Sequence, residues 1–125
     1  MSTVYLAGGF KSGWQNKIQE TKDRLIIDPS KKERTGEWNI TIDFDRICSW
    51  DKLAIQKSDI IFSYLEKDNP SGIGLACEIG YARALGKTII LVDEKQEKKF
   101  DFLRGFADYV TNDFQKGLDF LDILP

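Results

Sequence analysis

The sequence predicts an α/β fold in which helices cover both faces of a parallel sheet. Three observations support this prediction: short apolar runs alternate with longer amphipathic segments, the apolar runs end at glycine or turn residues, and no internal repeat interrupts the alternation. Strands joined by helices of this length are parallel and are connected by right-handed crossovers. A chain of 125 residues can bury one core of this kind, so residues 1–125 are predicted to form a single domain.

The N-terminal part begins with an apolar run at residues 3–7, which two glycines close. This pattern predicts a buried strand that enters a tight turn. Apolar residues at helical spacing in a polar stretch predict a helix at 14–25. Residues 25–27 are apolar and lead to a proline, which predicts a strand that ends at a turn. Residues 30–38 have no regular pattern and predict a loop.

The C-terminal part continues the alternation of helix and strand. Helical spacing predicts helices at 43–57 and around Glu78, and apolar runs predict strands at 59–63 and 88–92. After a charged loop, the last predicted elements are a short helix at 100–106, a small strand at 109–110 and a final helix ending near residue 121.

Five strands separated by helices fit a flavodoxin-like doubly wound sheet. In such folds ligands bind outside the carboxyl ends of the strands, where the strand order reverses. The turn Gly8-Gly9-Phe10, the loop at residues 64–74 and the start of the Glu78 helix all belong to that edge. The two glycines indicate that the backbone approaches another group closely, although they complete neither a dinucleotide fingerprint nor a P-loop.

The composition limits both the partners and the chemistry. The net charge is −2 and the pI is about 5.2, which leaves no electrostatic footprint for a nucleic acid polymer or an anionic membrane. Histidine is absent, and Cys48 and Cys77 fit no metal-ligand spacing, so neither a metal nor a cofactor is expected. Reduced thiols predict a cytoplasmic protein. Any acid–base or nucleophilic chemistry must then come from carboxylates, tyrosines or lysines.

Glu78 is the most informative residue of the chain, because it lies in a helix that is apolar nearly all round and therefore predicted to be buried. A carboxylate in such a helix is costly unless it is paired, hydrogen-bonded or facing a cavity. One interpretation is a structural pair with Arg83. The interpretation favoured by the rest of the sequence is a reactive carboxylate at the floor of a cleft, which Gly74, one turn earlier, leaves open to a ligand.

Asp51 is a second acid among apolar residues. Phe44, Ile47, Cys48 and Ile55 recur at three- and four-residue steps and predict a buried stripe, and Asp51 lies within it. An acid on an apolar face breaks a local rule, and such breaks tend to mark functional sites. The alternative is a helix that is rotated slightly, with Asp51 at the edge of the stripe.

Tyr5 lies on the strand that leads to the glycine turn. If it is buried, its hydroxyl needs a partner, and a nearby carboxylate is the obvious one. A buried glutamate, a second acid and a phenol, without histidine or metal, suit glycosyl transfer through a carboxylate nucleophile and an oxocarbenium-like transition state.

The chain resembles the nucleoside 2-deoxyribosyltransferase family over about residues 3–92. The matching segments are Val4-Tyr5-Leu-Ala-Gly-Gly-Phe10, Asp51 followed by Ile55 and Ser58-Asp59, Gly74-Leu-Ala-Cys-Glu78-Ile-Gly80-Tyr-Ala82, and Gly86-Lys87. Members of this family have a flavodoxin-like fold, cleave the N-glycosidic bond of deoxynucleosides and pass deoxyribose to another base. Close relatives hydrolyse nucleoside monophosphates instead.

The resemblance implies a role for several residues. Glu78 would be the nucleophile at C1′ of the sugar, Tyr5 would orient its carboxylate, and Asp51 would handle the proton of the base. Phe10 would contact the base. The substrate-binding residues expected from the glycine turn, the start of the Glu78 helix and the C-terminal part are Gly8, Gly9, Phe10, Ser71, Gly72, Gly74, Asp108 and Tyr109.

Two departures from the family pattern affect the sugar contacts. Gly72 stands where the transferases usually carry an aspartate, and the adjacent Ser71 suits the phosphate contact of the hydrolases. Where the transferases often use a C-terminal asparagine of a neighbouring subunit, this chain offers Asp108 or Tyr109.

The sequence therefore predicts a deoxyribosyltransferase-like enzyme, with a nucleoside monophosphate hydrolase or a non-catalytic nucleotide sensor as alternatives. The expected partners are a small nucleoside or nucleotide and a free nucleobase. A homo-oligomer, at least a dimer with a shared active site, is expected from the family.

Overall fold

The computed structural model describes residues 1–34 and 44–125. Its strands are β1 (Ser2–Gly8), β2 (Arg24–Ile27), β3 (Ile60–Leu65), β4 (Thr88–Asp93) and β5 (Tyr109–Thr111). Its helices are α1 (Ser30–Arg34), α2 (Phe44–Lys57), α3 (Ile73–Ala84), α4 (Asp101–Arg104) and α5 (Phe114–Ile123), with short 3-10 helices at Trp14–Lys17 and Lys98–Phe100.

The strands form one parallel sheet in the order β2-β1-β3-β4-β5. This is the strand order of flavodoxin-like folds, so the predicted fold class is confirmed. The order reverses next to β1, between β1 and β3. The carboxyl ends of these two strands are therefore the expected place for a ligand.

The side chains of the central strands alternate between two buried layers, because successive residues of a strand point to opposite faces. One layer contains Tyr5 and Ile61 and is covered by α2, α3 and α4. The other contains Leu6 and Phe62 and is covered by Trp14 and α5. A parallel sheet covered on both faces explains why β3 and β4 are almost continuously apolar.

The predicted helix at 14–25 is wrong. The chain forms only the 3-10 helix Trp14–Lys17, then an antiparallel bridge from Thr21 to Arg24, where β2 begins. After Trp14 this segment contains a single apolar residue, Ile18, before the strand. A short helix obtains most of its stability from burying an apolar stripe, and this segment has none.

The predicted loop at 30–38 is partly wrong. Residues Ser30–Arg34 form α1, and the Asp28 carboxylate accepts hydrogen bonds from the Ser30 amide and hydroxyl at 2.9 and 2.6 Å. An acid that satisfies a free amide is a strong helix-start signal, which explains why a helix begins there. The remaining residues of the predicted loop, and position 43 of the predicted helix at 43–57, lie outside the described residues.

Helix α3, which carries Glu78, is less buried than predicted. In α3 the apolar residues Leu75, Ile79 and Ala82 are buried, but Ile73 and Cys77 are exposed, so this helix has one covered side only. The cause is its position on the outside of the sheet: a helix in that layer can bury only the side that faces the strands.

Candidate active site

The Tyr5 hydroxyl donates a hydrogen bond to Oε2 of Glu78. Tyr5 is fully buried in the middle of β1, and Glu78 projects from the middle of α3, which packs over that strand. The buried phenol is thus hydrogen-bonded to a carboxylate, as a buried tyrosine hydroxyl requires a partner. Because the bond engages Oε2, the second oxygen of Glu78, Oε1, remains for other interactions.

Asp51 adds a second carboxyl group from α2. One of its oxygens, Oδ1, is buried without a hydrogen-bond partner in the part of the chain that the structure describes. The predicted buried stripe of α2 is wrong in part. Phe44 is 60% exposed and Cys48 is exposed, while the buried residues of the helix are Ala54 and Ile55. The buried side of α2 is therefore rotated away from Phe44 and Cys48, and Asp51 remains next to it.

Burial changes the proton affinity of all three groups. Burial raises the pKa of Glu78 to about 8; the Tyr5 hydrogen bond acts in the opposite direction, and the Asp51 charge adds to the increase. Burial also raises the pKa of Asp51 to about 6, partly offset by the Tyr5 hydroxyl. The pKa of Tyr5 rises well above its usual range, because burial and the two nearby carboxyl groups disfavour a phenolate. At neutral pH the pair of acids accordingly shares one proton.

The pair with Arg83, considered as the alternative for Glu78, is not formed. The Arg83 guanidinium donates to the Asp108 carboxylate at 3.1 Å and to the carbonyl oxygens of Phe106 and Lys87 at 3.2 and 2.7 Å. Arg83 therefore links α3 to the segment that precedes β5. Glu78 faces Tyr5 and the second acid instead.

The two loops that were predicted to meet at the carboxyl edge do so. A pocket of about 420 Å³ is lined by the turn residues Gly9, Phe10, Lys11 and Ser12 and by Glu66, Asp68, Asn69 and Pro70 of the loop after β3. Gly8 packs against the neighbouring strand: a Cβ atom there would lie 2.6 Å from the Tyr64 carbonyl oxygen, and its φ is +152°. Only glycine allows this approach, so the turn has to start there.

Two residues hold this turn in place and were not identified from the sequence. The Trp14 indole and the Gln15 side-chain amide both donate to the Gly9 carbonyl oxygen, at 2.9 and 3.0 Å. Gln15 is almost fully buried, and its Oε1 has no partner among the described residues. Gln15 lies six residues after Gly9, and only the fold shows that its amide is buried and therefore needs a hydrogen-bond partner.

The start of α3 directly follows the loop that lines this pocket. Gly72 precedes the helix with φ +87°, and a Cβ there would lie 3.0 Å from both Leu65 and Phe100. The exposed Ser71 accepts a hydrogen bond from the Ile73 amide at 3.2 Å. Above Gly74 there is open space, with nothing within 4 Å of an added Cβ. A ligand can therefore approach this first turn, where the N-cap residue Gly72 has no side chain to bond the amides that follow Ile73.

Asp108 and Tyr109 lie away from Glu78 of the same chain. The Asp108 carboxylate accepts from the Ile89 amide at 2.8 Å, near the amino end of β4, and pairs with Arg83. The Tyr109 ring stacks on Phe120 at 4.3 Å, in the layer on the opposite side of the sheet. Their predicted contact with substrate, which the resemblance assigns across a subunit boundary, stays a prediction.

Within residues 1–34 and 44–125, no three acidic, cysteine or histidine side chains are arranged to hold a metal ion. In the same part of the chain, no helix has the length and apolar character needed to cross a membrane.

Comparison with known proteins identifies the family and supports the fold. The family model described as nucleoside 2-deoxyribosyltransferase like matches residues 1–96. The CMP N-glycosidase BcmB of Clostridium botulinum superposes with a TM-score of 0.65 at 22% identity, over 98% of this chain and 99% of that one. A 2-deoxyribosyltransferase of Bacillus psychrosaccharolyticus superposes with a TM-score of 0.72 at 19% identity, over 92% of this chain and 89% of that one. No curated protein sequence matches the chain.

Proposed function

Because the chain belongs to the nucleoside 2-deoxyribosyltransferase-like family, we propose that it cleaves the N-glycosidic bond of a deoxynucleoside through Glu78 and transfers the sugar to another nucleobase. The observation that carries this proposal is the group formed by Glu78, Tyr5 and the adjacent Asp51. It places a carboxylate, oriented by a phenol, beside a second acid on the buried side of two helices.

The first half-reaction needs one ionised and one protonated carboxyl group. Glu78 Oε1 attacks C1′ of the sugar while the C1′–N bond breaks, and the electron pair of that bond stays on the base nitrogen. Because the pKa of Glu78 lies above that of Asp51, the shared proton must first pass from Glu78 to Asp51, which then gives it to the departing base. The product is an ester between Glu78 and deoxyribose.

The second half-reaction reverses these steps. A nitrogen of the acceptor base attacks C1′, the ester bond breaks with its electron pair on Glu78, and Asp51 takes the proton that the acceptor loses. The shared proton of the pair is thus neither created nor consumed over the cycle. Tyr5 keeps its hydrogen bond to Oε2 throughout, so that Oε1 remains aligned with C1′.

Hydrolysis of a nucleoside 5′-monophosphate is the second candidate. In that case water instead of a base attacks the ester. The specific observation in its favour is Ser71, which is exposed at the start of α3, where its hydroxyl and the nearby amide groups can receive a phosphate. The superposition on the CMP N-glycosidase, over almost the whole of both chains, agrees with this candidate.

The decisive experiment is chromatography of the purified protein with deoxyinosine or thymidine plus free adenine, and separately with 5′-monophosphates. Formation of deoxyadenosine by the wild type and not by Glu78→Ala supports transfer. Release of sugar or sugar phosphate without exchange supports hydrolysis. If no substrate is turned over but the protein binds nucleotides in calorimetry, both proposals fail and a sensor remains.

A homo-oligomer and activity without a metal or cofactor are part of the same proposal. A 14.3 kDa chain offers few walls to enclose a nucleoside alone, and the described loop pocket does not include Glu78. Light scattering at micromolar concentration tests the assembly, and a monomeric mass overturns it. Strict dependence of activity on a divalent ion would contradict the mechanism.

A further inference from the structure

We propose that Glu66 and Asn69 select a nucleobase with an exocyclic amino group, cytosine or adenine, against the matching oxo base, uracil or hypoxanthine. Both residues line the pocket of about 420 Å³, together with Phe10 of the glycine turn. Pockets of this size hold small organic ligands. The inference rests on the proposed function, because that function brings a nucleobase to this edge of the sheet.

The side-chain amide of Asn69 has a fixed orientation. Its Oδ1 accepts a hydrogen bond from the Ser71 amide at 3.0 Å, and in a carboxamide only the oxygen can accept from such a donor. The Nδ2 group faces the glycine turn, 3.6 Å from where a Cβ atom of Gly9 would be. No acceptor bonds to Nδ2 among the residues that the structure describes. This group is therefore a free donor to the pocket.

The Glu66 carboxylate lies beside this donor. Its Oε1 is 3.8 Å from the same Cβ position at Gly9, and the Glu66 carbonyl oxygen accepts from the Asn69 backbone amide at 3.0 Å, so one turn of the loop holds both side chains. Both residues are half-buried, and no side chain within residues 1–34 and 44–125 bonds to this carboxylate. An ionised carboxylate only accepts hydrogen bonds. The pocket thus presents an acceptor and a donor side by side.

Gly9 leaves both groups uncovered. A Cβ atom at this position would be in van der Waals contact with each of them. The Gly9 carbonyl oxygen is held by the Trp14 indole and the Gln15 amide, so the turn keeps this opening in place. The donor and the acceptor are therefore positioned before a ligand arrives, which lowers the cost of binding a ligand that matches them.

The pairing edges of cytosine and adenine match this arrangement. Each base has an exocyclic amino group, which donates, next to a ring nitrogen, which accepts. The amino group can bond to Glu66 and the ring nitrogen to Nδ2 of Asn69. Uracil and hypoxanthine have a carbonyl oxygen and a ring N–H at these two positions, so that acceptor meets acceptor and donor meets donor. Polar groups left unpaired in a binding site disfavour such a ligand.

The charge of the pocket argues against a phosphate as its occupant. Its lining contains two acids, Glu66 and Asp68, and a single lysine, Lys11. A carboxylate has no proton to donate to a phosphate, and the two negative charges repel each other. The base therefore occupies this pocket, and the 5′-phosphate of a nucleotide would bind outside it.

The test compares two pairs of substrates that differ only at this edge of the base: deoxycytidine with deoxyuridine, and deoxyadenosine with deoxyinosine. Each is supplied as the nucleoside and as the 5′-monophosphate, so that either candidate reaction can be followed. Chromatography gives kcat/KM and calorimetry gives Kd. We expect the wild type to prefer the amino member of each pair by about 10- to 100-fold in kcat/KM. Equal kcat/KM within both pairs would overturn the inference and leave the proposed function intact.

The double variant Glu66→Gln with Asn69→Asp exchanges donor and acceptor without changing the net charge. The new amide can donate to a carbonyl oxygen, and the new carboxylate can accept from a ring N–H while it still accepts from the Ser71 amide. The preference for the amino base should disappear or reverse. Gly9→Ala, which covers both groups with a methyl group, should also lower the preference. Asp68→Asn removes the other acid of the pocket and should keep it.

Binding separates this inference from the reaction. If no substrate is turned over but the amino member of each pair binds more tightly, and the double variant removes this difference, the inference stands and the proposed function fails. Absence of binding of both members, or a preference that survives in the double variant, would overturn the inference. Circular dichroism confirms that each variant is folded.

Discussion

The Tyr5 hydroxyl and the Glu78 carboxylate meet across 73 positions of sequence, joining the centre of β1 to the centre of α3. This contact gives a fully buried phenol a carboxylate partner and fixes one of the two oxygens of a buried acid. Asp51 reaches the same place from α2. The chemistry that the chain can perform depends on this meeting of three elements.

Glu78→Gln should remove the proposed nucleophile and preserve the shape of the side chain. We expect turnover in the chromatographic assay to fall by about 10³-fold or more, as for the loss of other catalytic nucleophiles. Nucleoside binding, measured by calorimetry, should persist within a few-fold. Full activity of a folded Glu78→Gln protein would contradict the assignment of this residue.

Tyr5→Phe should reduce kcat by about 10- to 100-fold, because Glu78 loses the bond that orients it. The Tyr5 bond lowers the pKa of Glu78, so its removal should move the acidic limb of the kcat profile to higher pH. The pH dependence of kcat measures this shift. A purely structural role for Tyr5 would lower activity equally at all pH values.

The stability of the protein should fall as the pH rises through the titration of Glu78. Its pKa is raised from 4.5 to about 8 in the folded chain, so the native state binds more protons than the unfolded state between these values. The neutral variant Glu78→Gln lacks this loss. The unfolding free energy of this variant, relative to that of the wild type, should therefore be higher at pH 9 than at pH 4 by on the order of 5 kcal/mol.

Urea unfolding at the two pH values measures that difference. Asp119→Asn, which removes an exposed acid from α5, serves as the control for a change in net charge. If Glu78→Gln and Asp119→Asn change the unfolding free energy by the same amount at pH 4 and again at pH 9, burial does not raise the pKa of Glu78.

Gly117→Ala should destabilise the fold. A Cβ at Gly117 would lie 2.5 Å from Cγ2 of Val92, and the β-branched valine on the sheet has little freedom to move. Overpacking of this kind costs about 1–3 kcal/mol. Urea unfolding tests it with Gly74→Ala as the matched variant, since that helical glycine faces open space and should tolerate a methyl group.

Gln15→Leu should loosen the glycine turn that lines the pocket. It removes one of the two donors to the Gly9 carbonyl oxygen, while the Trp14 indole remains. We expect KM to rise several-fold with a smaller change in kcat, because in the proposed function the turn binds the substrate and Glu78 carries out the reaction. Asn16→Ala, on an exposed neighbour, should leave both constants unchanged.

Most of the elements could be predicted from local pattern. Apolar runs bounded by glycine or charged turns identified all five strands, since such a run becomes buried wherever it lies in the sheet. The exceptions were segments in which the pattern was sparse. The helix predicted at 14–25 had a single apolar residue after Trp14 and before its end, and α1 depended on capping by Asp28.

The sequence by itself determined the order of strands and helices, and it singled out Glu78, Asp51 and Tyr5 as polar groups in apolar segments. These are local properties, because helical and strand periodicities involve residues only a few positions apart. Only the tertiary structure decided their partners. Arg83, five residues after Glu78, pairs with Asp108, whereas Tyr5, at a distance of 73 positions, bonds to Glu78. Which side of a helix faces the sheet depends on long-range packing, and this packing turned Phe44, Cys48 and Cys77 outward and left Glu78 inside.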